Sequence, residues 1–278
     1  MNGPVAQMVA LVCHGNAHLQ GQGTIDYFSR NSTCQFCEWV KFFQVKNATT
    51  PNPIEQPVAA SPDDWFPLLK KSGATGLRLI ADAANRPNIS DRKSAAFAGG
   101  GKVWTIEELR DGGQSGYWAQ KMVLGDQNAP EQRVWQMSYG RVGQGPASPP
   151  ALPDALARAH AALFATLREI LSFATTHERL DPYSEYFSRA IETLSSNGQF
   201  LHAFSRDLAP ENFLTPGTVA LLDAAQTAFV FGGNSGWNDL TFEDDDQVRY
   251  EELSDKLFEA IADATVAGAN ASLPRPTA

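Results

Sequence analysis

Two cysteines separated by two residues, Cys34 and Cys37, are the first pair in this 278-residue chain whose types and spacing could do chemistry. In thiol–disulfide oxidoreductases such a motif lies where a strand leads into a helix N-terminus, which lowers the pKa of the attacking thiol. Here Cys37 leads into a strand pattern instead. The local context therefore favours buried structural cysteines, which behave as small apolar residues.

A zinc site would need four ligands, and the nearest additional candidates are Cys13, His14 and His18. The run Gln7–Cys13 is predicted to be a strand, so the side chains of Cys13 and His14 would point to opposite faces. We predict neither a metal ion nor a cofactor. The one alternative metal site that stays geometrically possible consists of Cys13, His18, Cys34 and Cys37.

The segment 232–239, with the sequence GGNSGWND, is the most unusual stretch of the chain. It lacks the second glycine of a G-x-S-x-G nucleophile elbow and the alternating oxygen ligands of a calcium loop. One interpretation is structural, with Gly232 ending a helix and Trp237 anchoring a tight turn. The other is a binding loop. Its contact residues would be Asn234, Ser235, Trp237, Asn238 and Asp239.

An acidic run follows this loop directly and consists of Glu243, Asp244, Asp245 and Asp246. Carboxylates at a helix N-terminus interact favourably with the helix dipole, which accounts for part of the run. Four successive acids exceed that need. We therefore add these four residues to the predicted binding surface, as contacts for a basic partner.

The remaining motifs do not complete a known site. The stretch Gly99–Lys102 lacks the spacing and the hydroxyl residue of a phosphate-binding loop. The five histidines form no HExxH motif and no local triad arrangement. His14 and His18 would share a face only on a helix, which Gly15 disfavours.

The composition narrows the class of protein. The chain has 22 basic and 31 acidic side chains and a formal net charge of −9. A nucleic-acid-binding surface would concentrate Lys and Arg, so no nucleic-acid partner is expected. No apolar window approaches the roughly 18 residues of a membrane helix, and the N-terminus does not resemble a signal peptide. We therefore expect no membrane association and a cytoplasmic location.

The elements that must position these residues follow two patterns. In the first half, period-two alternation predicts a strand over Cys37–Lys46 and another around Leu77, Leu79 and Ala81. Two further strands, 116–124 and 132–142, are predicted to form a hairpin. Between the first two strands a short helix is expected, with Asp64 as its N-cap, Pro67 in its first turn and Gly73 after its end.

The second half is predicted to be helical. A linker, GQGPASPP at 143–150, precedes four apolar stripes of helical period. The helices are expected to begin at Pro153, Asp181–Pro182, Thr215–Pro216 and near Asp246. The third helix would run past Phe229 to Gly232.

Strands followed by helices indicate an α+β protein, with an antiparallel strand-rich half followed by a bundle of about four helices. The predicted regions are 1–145 for the strands, 151–271 for the helices and 272–278 for a disordered tail. The two halves could also form one intimate domain. The sequence does not determine the oligomeric state.

Two functions fit these observations. The first is a non-catalytic acidic interaction protein, such as an inhibitor, an immunity-type protein or an assembly subunit, with a protein partner that is basic. The alternative is a hydrolase or transferase whose site lies at the sheet–bundle junction near 232–239. The absence of a complete catalytic motif and the net charge favour the first.

Overall fold

The computed structural model describes residues 1–22, 26–50, 52–97, 100–196, 205–232 and 236–274. Over these residues the protein is α+β, with one N-terminal helix, a six-stranded sheet and a C-terminal group of helices that pack together. The predicted fold class is confirmed. In chain order the elements are α1 (Gly3–Leu19), β1 (Cys37–Lys46), β2 (Ile54–Ala59), α2 (Pro62–Lys71), β3 (Ala74–Asp82), α3 (Asp91–Ser94), β4 (Val103–Arg110), β5 (Gln114–Leu124), β6 (Trp135–Pro146), α4 (Ala155–Ala174), α5 (Asp181–Ser195), α6 (Pro216–Thr227) and α7 (Asp244–Asn270).

The strand order across the sheet is β2-β1-β6-β5-β4-β3. Strands β5 and β6 form the predicted antiparallel hairpin, and β1 has the predicted bounds. One pair departs from the antiparallel expectation, because β1 and β6 run parallel. Between them the chain forms β2, crosses the sheet through α2 to the far edge, and returns through β3, β4 and β5.

The first element is a helix, and the prediction of a strand over Gln7–Cys13 is wrong. Asn2 caps α1 by accepting a hydrogen bond from the backbone N–H of Val5 at 3.1 Å, and Pro4 lies in the first turn. Residues Val5–Cys13 are all buried, so the helix has no polar face that would reveal its period. A short apolar run is compatible with either a strand or a buried helix.

Helix α1 packs closely against the sheet at Gly15. A Cβ added there would lie 2.4 Å from the Cδ1 atom of Leu77 and 3.3 Å from the ring of Phe66. Real Cβ contacts are essentially never that short, so a larger residue here would require the Leu77 side chain to move. The glycine that disfavours a helix in the sequence therefore permits the close approach of the helix to Leu77 and Phe66.

The edge strand β3 is completed by two side-chain amides. Asn16 of α1 donates to the carbonyl of Leu77 at 2.8 Å and accepts from its N–H at 2.7 Å. Asn270 of α7 does the same for Leu79, at 3.0 and 2.7 Å. Exposed edge strands are prone to pair with other chains. The two amides occupy that edge and attach both helices to it.

The segment 143–150, which the sequence predicts as a linker, extends the sheet with its first residues and packs on it with the next. Residues 143–146 extend β6, which begins at Trp135 rather than at the predicted Gln132. Ser148 and Pro149 then contact an ion pair between Arg78 and Glu107, in which the N–O distance is 2.7 Å. The guanidinium donates to the carbonyls of Ser148 and Pro149, and the N–H of Ser148 donates to Glu107.

The short helix α2 begins earlier than predicted. Its N-cap is Ser61, whose hydroxyl accepts from the N–H of Asp64, so Asp64 lies within the first turn and Pro67 lies in the helix interior. Gly73 follows the helix with a φ of +80°, as the sequence predicts. The sequence signal is ambiguous here because Asp63 and Asp64, which also favour a helix start, follow Ser61 and Pro62.

The four C-terminal helices α4–α7 pack together, and one hydrophobic cluster runs through them, α1 and the sheet. Helix α6 begins after its predicted cap, Thr215, but ends at Thr227, before Phe229. Ser272, which was assigned to a disordered tail, is buried and accepts a hydrogen bond from Asn16 at 2.7 Å. Residues 275–278 lie outside the described residues.

We expect Asn16→Ala to lower the free energy of unfolding by about 2–4 kcal/mol, because it leaves the buried N–H and C=O of Leu77 without partners. The measurement is the urea denaturation midpoint at constant slope. Asn128→Ala, at an exposed position in the β5–β6 connection, is the matched control and should stay within about 0.5 kcal/mol of wild type. Equal stabilities of the two variants would contradict a structural role for the Asn16 amide.

Candidate functional site

The Cys34-x-x-Cys37 segment forms a tight turn that is fastened to the C-terminal half. Asn31 caps the 3₁₀ turn Ser32–Cys34 by accepting from the N–H of Thr33 at 3.0 Å. The carboxylate of Asp207 accepts hydrogen bonds from both the N–H and the hydroxyl of Ser32. Because Asp207 comes from the connection between α5 and α6, the position of the two cysteines depends on residues far away in sequence.

One amide from α1 contacts both thiols. The Nε2 atom of Gln7 lies 3.4 Å from the sulfur of Cys37 and 3.7 Å from that of Cys34. The Oε1 atom of the same amide accepts a hydrogen bond of 2.8 Å from the hydroxyl of Tyr139. This second contact fixes the amide orientation, so that its N–H groups face the sulfurs.

The two thiols differ in their ease of ionisation. A hydrogen bond between them raises the pKa of Cys34, and burial raises it further. The same hydrogen bond lowers the pKa of Cys37, against the opposing effect of burial, and the Gln7 amide and the charge of Arg133 lower it further. The Cys37 thiol is therefore the one that loses its proton first.

Cys37 lies on the wall of an apolar pocket of about 510 Å³. That volume is within the range of small-molecule and side-chain binding sites. Polar side chains of Gln7, Ser32, Thr33, Gln35 and Ser205 contribute to one part of the wall. The apolar part is formed by Pro4, Phe36, Met122, Trp135 and Met137.

The apolar surface continues outside the pocket. Phe36 is 45% exposed, and its carbonyl accepts from the N–H of Trp135 at 3.0 Å. Leu124 pairs with Trp135 across the β5–β6 hairpin and is 44% exposed. Two exposed apolar residues thus flank the pocket. Phe36 immediately precedes β1, and Leu124 is the last residue of β5.

A second cavity, of about 600 Å³, is lined by the segment 151–153, the N-terminal part of α4 and the C-terminal part of α7. Among its described lining residues the charged ones are Arg158 and Asp263, and burial raises the pKa of Asp263. It has no thiol or histidine among those residues. The pocket beside Cys37 is therefore the better candidate for chemistry.

The binding loop predicted around 232–239 is occupied by structural contacts. Trp237 is fully buried, and its indole N–H donates to the hydroxyl of Ser254 at 2.8 Å. Asn238 donates to the carbonyls of Phe231 and Arg92, at 3.0 and 3.2 Å. These contacts agree with the structural interpretation of Trp237. Asn234 and Ser235 lie outside the described residues.

Arg92 ties this loop to α7. Its guanidinium is buried, donates to the side chain of Asn238 at 3.0 Å, and forms ion pairs with Glu251 and Asp255. Asp239 is exposed and accepts from the N–H of Gly236 at 3.2 Å. The polar groups near Trp237 therefore connect α3 and α7.

The acidic run begins α7. Glu243 is the N-cap residue, and Asp244, Asp245 and Asp246 occupy the first turn, where the helix dipole favours negative charge. All four side chains are exposed, and Asp246 lies 3.2 Å from the Nε2 atom of His177. The run thus presents carboxylates to solvent at the start of the longest described helix.

The structure does not bring the alternative zinc ligands together. Cys13 points toward α7, with its sulfur 3.9 Å from the carbonyl of Ala269, and His18 stacks on Phe66. Both lie on α1, but neither contacts the Cys34–Cys37 turn. Among the described residues no group of three or more His, Cys, Asp and Glu side chains could hold a metal ion.

His14, a candidate zinc ligand by its position in the sequence, contacts a backbone carbonyl and an aromatic ring instead. Its ring Nε2 lies 3.0 Å from the carbonyl of Asp207, and its edge packs on Tyr27. Burial lowers the pKa of His14, partly offset by the Asp207 contact, which favours the charged form. His14 and Gln7 lie two helical turns apart, so both face the 27–37 segment.

Gln7, Phe36, Met122, Trp135 and Arg133 were not predicted as site residues. The cysteine spacing singled out Cys34 and Cys37 but favoured buried structural cysteines there. The predicted strand over Gln7–Cys13 gave no reason to place the Gln7 amide beside them. Pairing of β1 with β6 brings Trp135 next to Cys37. A parallel pair connected through six intervening elements has no local sequence signal.

No protein-family model, curated protein or solved structure is significantly similar to this chain. Among the described residues, no helix is both long and apolar enough to cross a membrane.

We expect the rate of alkylation of Cys37 by iodoacetamide to rise with pH. The midpoint of this pH profile should lie below the pKa of an ordinary cysteine thiol, which is about 8.5. Because the lowered pKa increases the thiolate fraction at a given pH, the rate rises earlier as the pH increases. Gln7→Leu removes one stabilising hydrogen bond, so its midpoint should move upward. Peptide mapping of the alkylated residue provides the rate, and an unchanged midpoint in Gln7→Leu would contradict the role of the amide.

We expect Asn238→Ala to lower the free energy of unfolding by about 1–3 kcal/mol, since three hydrogen bonds to the buried residues Arg92 and Phe231 are lost. Asp245→Ala, on the exposed acidic run, should change it by less than about 0.5 kcal/mol. Thermal and urea unfolding measure both. A neutral Asn238→Ala would indicate that this side chain is retained for binding rather than for stability.

Proposed function

We propose that this protein is an acidic interaction protein that binds an apolar segment of a protein partner in the pocket beside Cys37. The proposal retains the function expected from the composition but moves the binding site from 232–246 to the pocket. A partner side chain such as Phe, Trp or Leu would occupy the apolar part. Its backbone would meet the polar groups of Thr33, Gln35 and Ser205.

The observation that carries the proposal is the exposed side chain of Phe36 beside a pocket of about 510 Å³. Aromatic anchors that fill such pockets contribute most of the free energy in many protein interfaces. Two methionines in the wall, Met122 and Met137, add a flexible apolar surface that adapts to different side chains. An exposed rim that continues to Leu124 favours an extended segment over a small enclosed ligand.

The charge distribution favours a basic partner. The chain carries a net charge of −9, and the run 243–246 is exposed at the start of α7. Opposite charges accelerate encounter and select among partners, while adding less to the final affinity. In the described part of the 232–239 loop, Asn238 and Asp239 bond to their own framework. These internal contacts count against a catalytic site near 232–239, on which the hydrolase or transferase alternative depends.

We test the proposal with a displayed library of short random peptides selected on the immobilised wild-type protein. Selected peptides should contain a bulky apolar residue with basic neighbours. Phe36→Glu should weaken their binding about tenfold or more, because it places a charge beside the apolar pocket. The affinities are measured by fluorescence polarisation at low and at moderate salt concentration.

Phe97→Glu is the matched control, because Phe97 is 68% exposed and lies outside the residues that line this pocket. Its affinity for the selected peptides should equal that of wild type. Denaturation of both variants verifies that they fold. If no peptide distinguishes Phe36→Glu from Phe97→Glu, the pocket is not the binding site and the proposal fails.

A further inference from the structure

The two thiols of Cys34 and Cys37 differ in their depth below the pocket wall. Cys37 lines the pocket and is 4% exposed, whereas Cys34 is fully buried behind it. Both are free, and both contact the amide of Gln7. A reagent in the pocket therefore reaches Cys37 first, and Cys34 is the next thiol that it can meet.

We propose that Cys34 and Cys37 are a reactive dithiol that exchanges with a disulfide bound in the pocket. Cys37 is the attacking thiol and Cys34 the resolving thiol. This chemistry goes beyond the binding role, and it rests on the proposed function only in using the same pocket. The substrate class is a disulfide whose neighbouring groups are apolar or aromatic.

The exchange proceeds in two balanced steps. The Cys37 thiolate attacks one sulfur of the substrate disulfide, the substrate S–S bond breaks, and the leaving thiolate takes the electron pair. A mixed disulfide now joins Cys37 to the remaining half. Cys34 then loses its proton to the released thiolate and attacks the Cys37 sulfur, which forms the Cys34–Cys37 disulfide and expels the second thiolate. The protein dithiol is oxidised by two electrons, and the substrate disulfide is reduced to two thiols.

The surroundings suit each step. Gln7 and Arg133 stabilise negative charge on the Cys37 sulfur, the first through its N–H and the second through its positive charge. Gln35 and Phe36, which separate the two cysteines, are both exposed, so the turn can adjust as the sulfurs approach bonding distance. The motif has no helix dipole after it, and these side chains replace that contribution.

The apolar wall selects the kind of disulfide. Met122, Trp135 and Met137 offer thioether and indole surfaces that pack well on aromatic rings. We therefore choose 4,4′-dithiodipyridine as the probe, because it is aromatic and uncharged, and each released half is a coloured thiopyridone. Absorbance gives the equivalents released, and the intact mass gives what stays on the protein.

Wild-type protein should release two equivalents of thiopyridone and lose two hydrogen atoms without retaining an adduct. Cys34→Ser should release one equivalent and keep the pyridyl adduct on Cys37. Cys37→Ser should react at least about tenfold more slowly, because the remaining cysteines are buried. Cys13→Ala is the control. Cys13 is buried and its pKa is raised to about 12 by burial, so this variant should behave as wild type.

Two results would overturn the proposal. One is a stable pyridyl adduct on wild-type Cys37, which would mean that Cys34 does not resolve the mixed disulfide. The other is an equal, slow reaction of all three cysteines at the rate of global unfolding, which would mean that the pocket does not admit the probe.

The same variants separate this inference from the binding proposal. Phe36→Glu is expected to lose peptide binding, and Cys34→Ser is expected to retain it, since Cys34 does not line the pocket. Peptide binding without dithiol exchange would remove the redox inference alone. Exchange with the small probe, but no peptide selected, would remove the binding proposal alone.

Discussion

The rest of the structure depends on helix α1, which is buried on two opposite faces. Gln7 and Asn16 lie nine residues apart, so they project about 180° from each other around the helix and about 14 Å apart along it. Asn16 completes the edge of β3 and contacts Ser272 after α7. Gln7 contacts the two thiols on the other side. One helix therefore joins the sheet, the end of the bundle and the candidate site.

The candidate site depends on polar contacts from three distant parts of the chain. The turn that carries Cys34 is held by Asp207, the amide of Gln7 is oriented by Tyr139 of β6, and Arg133 precedes the same strand. Each contact satisfies a buried or half-buried polar group, which would otherwise destabilise the folded state. The pocket is therefore preorganised by the same hydrogen bonds that join the two halves of the chain.

The negative charge of the chain has two roles. Part of it is structural, since Glu251 and Asp255 neutralise the buried Arg92, and Glu107 pairs with the buried Arg78. For Glu107, burial raises the pKa, but the hydrogen bonds from the N–H of Ser148 and from Arg78 lower it, and the pKa is lowered overall. The run 243–246, in contrast, is exposed at the start of α7, where it can act on the approach of a partner. The net charge alone could not divide the acids between these roles.

Local periodicity and caps in the sequence predicted the bounds of β1, the β5–β6 hairpin and the helical character of the second half, but not β2 or β4. Only the tertiary structure decided that residues 3–19 are helical, that β1 pairs parallel with β6, and that Cys37 faces a pocket while Trp237 is buried. Apolar residues that are covered on every side carry no period, and contacts between distant residues leave no local pattern. Gln7, Cys37 and Trp135 become neighbours only when α1 packs against the assembled sheet.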